Sequence, residues 1–239
     1  MNRLIAAAIA ALLALPATAD TLVQWNFNST PPDANTGTGV TAPAVGTGTA
    51  SLLGTTARFA SGDASGGSSD PATGDDSGWN TTTYAAQGTG DRIRGAQFAA
   101  STVGYENIVL SFDQRHSNTA SRYAAVQYTT DGSTWTDVSL FDADQGGDKW
   151  YLARTVDFSG IAGVDDNASF AVRVVAAFAP GASSYLAATT GSNYSTTGTW
   201  RFDMVTISGT AIPPVPEPGA LALLLAGLGV VGHVVRRRA

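Results

Sequence analysis

Between Phe98 and Gly209, side chains of opposite character alternate with a period of two residues. Ile108, Leu110 and Phe112 alternate with Val109, Ser111 and Asp113. Ala124, Val126 and Tyr128 face one way, as do Phe170, Val172 and Val174, and then Trp200, Phe202 and Met204. A period of two belongs to a strand with one buried face, because successive side chains on an extended chain point to opposite sides. The segments 97–103, 107–116, 123–130, 135–138, 151–158, 168–177 and 199–209 therefore read as strands, with 21–28 as a first one. Asp131-Gly132-Ser133 supplies a hairpin turn between two of them. Good helix-forming runs are confined to the two ends, and Gly, Thr, Ser and Ala dominate the rest. The expected fold is all-β: an antiparallel β-sandwich, most simply a jelly roll.

The ends do not belong to that fold. Residues 1–19 carry the three parts of a secretory signal: Arg3, an apolar stretch from Leu4 to Leu15, and Ala17-Thr18-Ala19 ahead of Asp20. At the other end, Pro213, Pro214, Pro216 and Pro218 impose an extended spacer. An apolar segment 220–235 follows, then Arg236-Arg237-Arg238. At ~1.5 Å per residue such a helix is slightly short of a ~30 Å hydrocarbon layer, a gap that local thinning absorbs. The arginines would keep its end on the cytoplasmic side. The domain reading is a signal peptide over 1–19, a β-sandwich ectodomain over 20–212 and a tail over 213–239 with a transmembrane helix at 220–235. Within the ectodomain, 29–91 is Gly-, Ser-, Thr- and Asp-rich and reads as long surface loops or partly disordered chain.

Val215-Pro216-Glu217-Pro218, the short apolar helix and the terminal arginine cluster together resemble the PEP-CTERM sorting signal of Gram-negative bacteria. That resemblance implies export by signal peptidase and a passing stay in the inner membrane. It further implies processing by an exosortase, then delivery to the cell surface or extracellular matrix. Other segments are similar to jelly-roll modules of bacterial secreted proteins, whose folds resemble carbohydrate-binding modules. They are Ser111-Phe112-Asp113-Gln114-Arg115, Gln127 to Gly132 with Trp135, Asp157 to Ile161, and Trp200 to Val205. In many such modules a structural calcium bridges the first and last strands, which implies Asn28 and Asp203 as ligands here.

Composition narrows the chemistry. The chain has no cysteine, so disulfides, thiol catalysis and cysteine-bound zinc are all excluded. Between residues 20 and 212 lie 18 acidic and 9 basic side chains, leaving nine excess negative charges. Such a surface argues against nucleic acid and anionic lipid as partners. The only ectodomain histidine, His116, has no Gly-x-Ser-x-Gly elbow to accompany it. Asp142, Asp144 and Asp148 flank Gly146-Gly147 and form a second candidate calcium loop, the plainer alternative being an acidic hairpin turn. Trp79, Trp150 and Tyr151 lie in or beside loop-like sequence and are candidates for stacking on sugar rings, or else for anchoring loops to a sheet. Trp25, Trp135 and Trp200 read as core. These features point to a non-catalytic exported protein associated with exopolysaccharide or biofilm. The alternatives are a calcium-dependent carbohydrate-binding module and, less favoured, a polysaccharide hydrolase using two aspartates.

Overall fold

The computed structural model describes residues 19–144, 146–213 and 233–237. Twelve strands follow in order: β1 (Ala19–Trp25), β2 (Val45–Gly46), β3 (Thr49–Leu53), β4 (Thr56–Ser61), β5 (Ser77–Thr82), β6 (Gly95–Ala99), β7 (Tyr105–His116), β8 (Tyr123–Thr129), β9 (Thr136–Asp142), β10 (Lys149–Asp157), β11 (Ala171–Ala177) and β12 (Trp200–Ala211). They build two antiparallel sheets. One runs β3-β6-β11-β8-β9; the other runs β10-β7-β12-β1-β2, with β5 also paired to β12 and β4 to β5. The expected all-β antiparallel sandwich of jelly-roll type is what the chain forms.

Period-two segments face each other across one apolar core. Phe98, Val126, Val172 and Val174 come from the five-stranded sheet, and Trp25, Leu110, Phe112, Phe202 and Ile207 from the other. Phe98 is the hub: its ring lies 5.3 Å from Trp25, 6.5 Å from Phe27, 6.2 Å from Trp79 and 6.0 Å from Phe202. Tilted and edge-on contacts of this kind add to what burial alone contributes.

Three expectations change. Segment 29–91 holds β2, β3, β4 and β5, not loops alone. These strands are short and rich in Thr, Ala, Ser and Gly, and β3 and β4 are half exposed, so no sustained apolar alternation marks them. Trp135 is not core: it is half buried on the outside of the five-stranded sheet, with the Arg173 guanidinium 4.2 Å from its ring centroid. The alternation Trp200, Phe202, Met204 breaks at its last member. A register shift lies between Asp203 and Thr206, Met204 takes φ +46°, and Val205 and Ile207 fill the core instead. One extra residue in a strand exchanges its two faces.

Most of the expected helix at 220–235, the signal peptide and Val215, Pro216, Glu217 and Pro218 lie outside the described residues. Among the described residues no helix is long and apolar enough to cross a membrane.

Candidate metal centre

The shift in β12 has a consequence beyond packing. Along one edge β12 pairs with β5 at Trp200–Phe202, and after the shift it pairs with β1 from Val205 onward. Asp203 sits at the changeover, on the sheet's outer face, opposite Asp113 of β7. In β10 a second shift between Tyr151 and Arg154 turns the Ala153 N–H onto Asp113 Oδ1 at 2.7 Å. Bulges commonly re-aim side chains beside functional sites, and here two of them flank the pair Asp113 and Asp203.

Loop 62–76, joining β4 to β5, closes over this point. Its neck is a hydrogen bond from Gly62 N–H to the Asp76 carbonyl (2.8 Å). Inside the loop, Ser68 N–H donates to the Gly62 carbonyl (2.9 Å). Asp113 Oδ2 accepts from Ser69 N–H at 2.6 Å, and the Trp150 indole N–H donates to the Ala64 carbonyl at 2.9 Å. This is a compact, self-packed excursion of the Ω type. It brings Asp70 and Asp76 onto Asp203, with one carboxylate oxygen of each within 4.8 Å of the others.

Asp203 is fully buried and Asp76 is 1% exposed. Asp203 Oδ1 accepts from Met204 N–H at 2.7 Å, and Asp76 Oδ2 from Ser68 Oγ at 3.0 Å. Asp203 Oδ2 and Asp76 Oδ1 are buried without any hydrogen-bond partner. Burial, reinforced by the neighbouring Asp76, pushes the Asp203 carboxyl well above the usual carboxylate range. Asp76 is raised too, chiefly by burial. Ionised oxygens left buried and unpaired are costly, and the pair is relieved either by a proton held between the two carboxyls or by a bound cation.

The donors suit a hard, oxygen-seeking ion. Two oxygens bound to one calcium at ~2.4 Å lie at most ~4.8 Å apart, a limit the three carboxylates here meet. Nitrogen and sulfur ligands, which zinc prefers, are absent from the cluster. Asn28, expected as a ligand, lies alongside but is engaged otherwise: its Nδ2 donates to Asp70 Oδ2 (3.0 Å) and its Oδ1 accepts from Ser77 N–H (2.8 Å). It orients Asp70. Asp113 likewise spends both oxygens on backbone N–H groups. Gly62 is required by space, because a Cβ built there would overlap the Asp76 carboxylate. Gly62→Ala is expected to displace Asp76 and remove any calcium-dependent rise in melting temperature, as read by paired thermal scans with and without the ion.

The other candidates are not gathered into sites. Asp142 is held by Arg122 through two bonds of 2.5 and 2.6 Å, and that guanidinium keeps its carboxyl below the usual range. Asp148 is paired to Arg115, and Asp144 is exposed, its N–H donating to Asp142. Asp142 and Asp148 are thus held by separate arginines in an acidic hairpin. Trp79 is 4% exposed and stacks on Phe27 at 5.5 Å; Trp150 is 8% exposed and anchors the loop. Tyr151 is half buried, with its hydroxyl on the Ala143 carbonyl and Arg154 over its ring. Trp79 is thus part of the core, Trp150 lies under loop 62–76, and the Tyr151 ring is covered by Arg154 and Lys149 of its own strand. Asp70 and Asp76 went unremarked in the sequence; the density of aspartates in 63–76 was the available signal.

His116 is fully buried, with Nδ1 at 2.9 Å from the Ser121 carbonyl and Nε2 at 3.1 Å from Arg154. Burial and the adjacent guanidinium hold it well below the usual histidine range. It is neutral and occupied, and in this setting cannot serve a serine as base.

No curated protein matches the sequence. Similar solved structures include the CBM22-1 xylan-binding domain from Paenibacillus barcinonensis, at 12% identity and TM-score 0.44, covering 83% of this chain and 100% of that one. The CBM22-1–GH10 modules of Clostridium thermocellum endo-1,4-beta-D-xylanase, complexed with xylohexaose, align at 11% identity and TM-score 0.39. That alignment covers 62% of this chain, which thus spans only 24% of the xylanase chain. The K2 cleaved adhesin domain of Lys-gingipain aligns at 14% identity and TM-score 0.36, over 72% of this chain and 91% of that one. At this level of similarity no ligand or activity is carried across, and the fold rests on the strand pairing above. The tail is identified directly: residues 214–239 match the PEP-CTERM protein-sorting motif, so the chain bears the sorting signal of an exported, exosortase-processed surface protein.

Proposed function

We propose that this is a non-catalytic protein of the cell surface and exopolysaccharide matrix, whose sandwich is stapled by calcium at Asp70, Asp76 and Asp203. The observation that carries the staple is the pair of buried, unpartnered oxygens on Asp76 and Asp203. Calcium would tie loop 62–76 to the central strand β12, making the fold rigid where calcium is plentiful, outside the cell. The sorting motif supports surface delivery, and signal peptidase, the inner membrane and exosortase are the partners of that route. A hydrolase is disfavoured because Asp76 and Asp203 of the carboxylate cluster are buried, and His116 is buried and occupied.

The delivery half is tested in cells. Replacing Glu217 and Pro218 by alanine is expected to leave most of the protein in the inner-membrane fraction at full length, whereas the native chain is trimmed and reaches the surface. Unchanged trimming in the double variant would end the sorting reading. The matrix half is tested by isolating exopolysaccharide from the producing cells. Native protein is expected to co-purify with it, and recovery only in the polysaccharide-free fraction would refute the association.

A further inference from the structure

On the outer face of the larger sheet, one row beyond Asp113 and Asp203, the charge reverses. Arg58 of β4 stands opposite Asn80 of β5, Asn80 opposite Arg201 of β12, and Arg201 opposite Arg115 of β7. Three of the nine cationic side chains in an ectodomain with nine excess negative charges thus share one cross-strand row. Directly opposed residues in antiparallel strands have Cβ atoms ~5 Å apart, and like charges there are destabilising. The row therefore needs either internal counter-ions or an external anion.

Internal counter-ions do not suffice. Arg115 is paired with Asp148, yet its Nε is buried without a partner. Arg201 donates to the Ser61 carbonyl and, at 3.4 Å, to Asn80 Oδ1, and forms no ion pair among the described residues. Its stem lies against Gly78, where a Cβ would collide with it. Burial, with Arg115 and Arg58 nearby, holds its guanidinium down to about 10. Arg58 is exposed and has no hydrogen-bond or ion-pair partner among the described residues.

Beside the row is a shallow cavity of about 410 Å³ lined by Thr56, Arg58, Asn80, Thr82, Thr197 and Thr199. Threonine hydroxyls next to the unpaired Arg58 guanidinium form a surface for a ligand bearing both carboxylates and hydroxyls. From Arg58 to Arg201 the row crosses two strand spacings, ~10 Å in all, which with the cavity beside it suits a chain better than a single small ion. Exposed rings, on which unpaired nucleobases stack, are missing from it: Trp150, the next member of the row, is buried under loop 62–76.

We infer that the open end of this row, exposed Arg58 with half-buried Arg201 behind it, binds an acidic polysaccharide, the guanidiniums taking sugar carboxylates and the flanking threonines taking hydroxyls. This deepens the matrix reading and rests on it.

The test uses the full chain purified in detergent with calcium present, titrated with alginate (a polyuronate), dextran (neutral) and single-stranded DNA. Saturable binding to alginate is expected, weakening as salt is raised, with dextran inert and DNA at least tenfold weaker. Arg58→Gln is expected to weaken alginate binding about tenfold at an unchanged melting temperature, and Arg58→Lys to recover part of it. Alginate affinity unaltered in Arg58→Gln would overturn the assignment, as would equal binding of dextran or of DNA. If native protein co-purifies with cellular exopolysaccharide while the purified chain ignores alginate, the row is wrong and the matrix role stands. If both fail, both readings fall.

Discussion

Saturating calcium is expected to raise the thermal unfolding midpoint of this protein by roughly 5–10 °C at pH 7, and Asp203→Asn to abolish the rise. The magnitude follows from linkage: a ligand at a hundred times its Kd contributes ~2.7 kcal/mol, and a domain of this size gains ~2–4 °C per kcal/mol. The variant supplies a sharper signature than the loss alone. Without calcium, Asp203 and Asp76 repel each other in a buried setting, so the neutral amide is expected to leave the metal-free protein as stable as the native chain or more so. A purely structural Asp203 would instead make the variant weaker in both conditions.

The pH dependence has a defined sign. Asp203 and Asp76 are both raised above the ordinary carboxylate value of 3.8. Between that value and the raised one, the metal-free folded chain binds more protons than the unfolded chain. Its stability from this pair is therefore highest at low pH and falls as pH rises toward neutrality. Calcium takes the place of the proton, so the calcium-induced shift should grow from pH 5 to pH 7. A shift that is absent at pH 7, or equal at both values, would refute the centre.

Phe98→Ala is expected to cost about 3–5 kcal/mol, read as a lower denaturant midpoint at an unchanged slope. Phe98 is fully buried and touches Trp25, Phe27, Trp79 and Phe202, joining the five-stranded sheet to an aromatic group on the side of the larger one. Removing the ring leaves a cavity that rigid aromatic neighbours cannot readily fill. Ile93→Ala provides the comparison: Ile93 is 60% exposed and should change stability by no more than about 0.5 kcal/mol. Equal effects of the two substitutions would show that the aromatic cluster does not hold the sheets together.

Legibility tracked how far each residue's role depends on its chain neighbours. β7, β8 and β11 were readable because one face of each is buried along its length, and burial imposes a period of two. β3 and β4 escaped because edge strands of small polar residues bury little on either face. β5 escaped for the opposite reason: it is buried along almost its whole length, so its Ser77, Asn80 and Thr81 look like loop residues in sequence while hydrogen bonding inside the fold. Asp203 was singled out from the resemblance to calcium-bearing jelly rolls, and the structure sets it among carboxylates. Its companions Asp70 and Asp76 come from a loop 127 to 133 residues away in the chain, and no local pattern announces a contact made across that distance.

By itself, the sequence determined the class of fold, through alternation, and the export and sorting of the chain, through the tail, because both are written in runs of neighbouring residues. Tertiary structure alone decided which carboxylates converge, which tryptophans are covered and where three arginines line up. Each of those depends on strand register, on the two bulges and on how one loop folds over a sheet. A single inserted residue in a strand reverses which side chains face the core, and nothing local reports that reversal until the partner strands are in place.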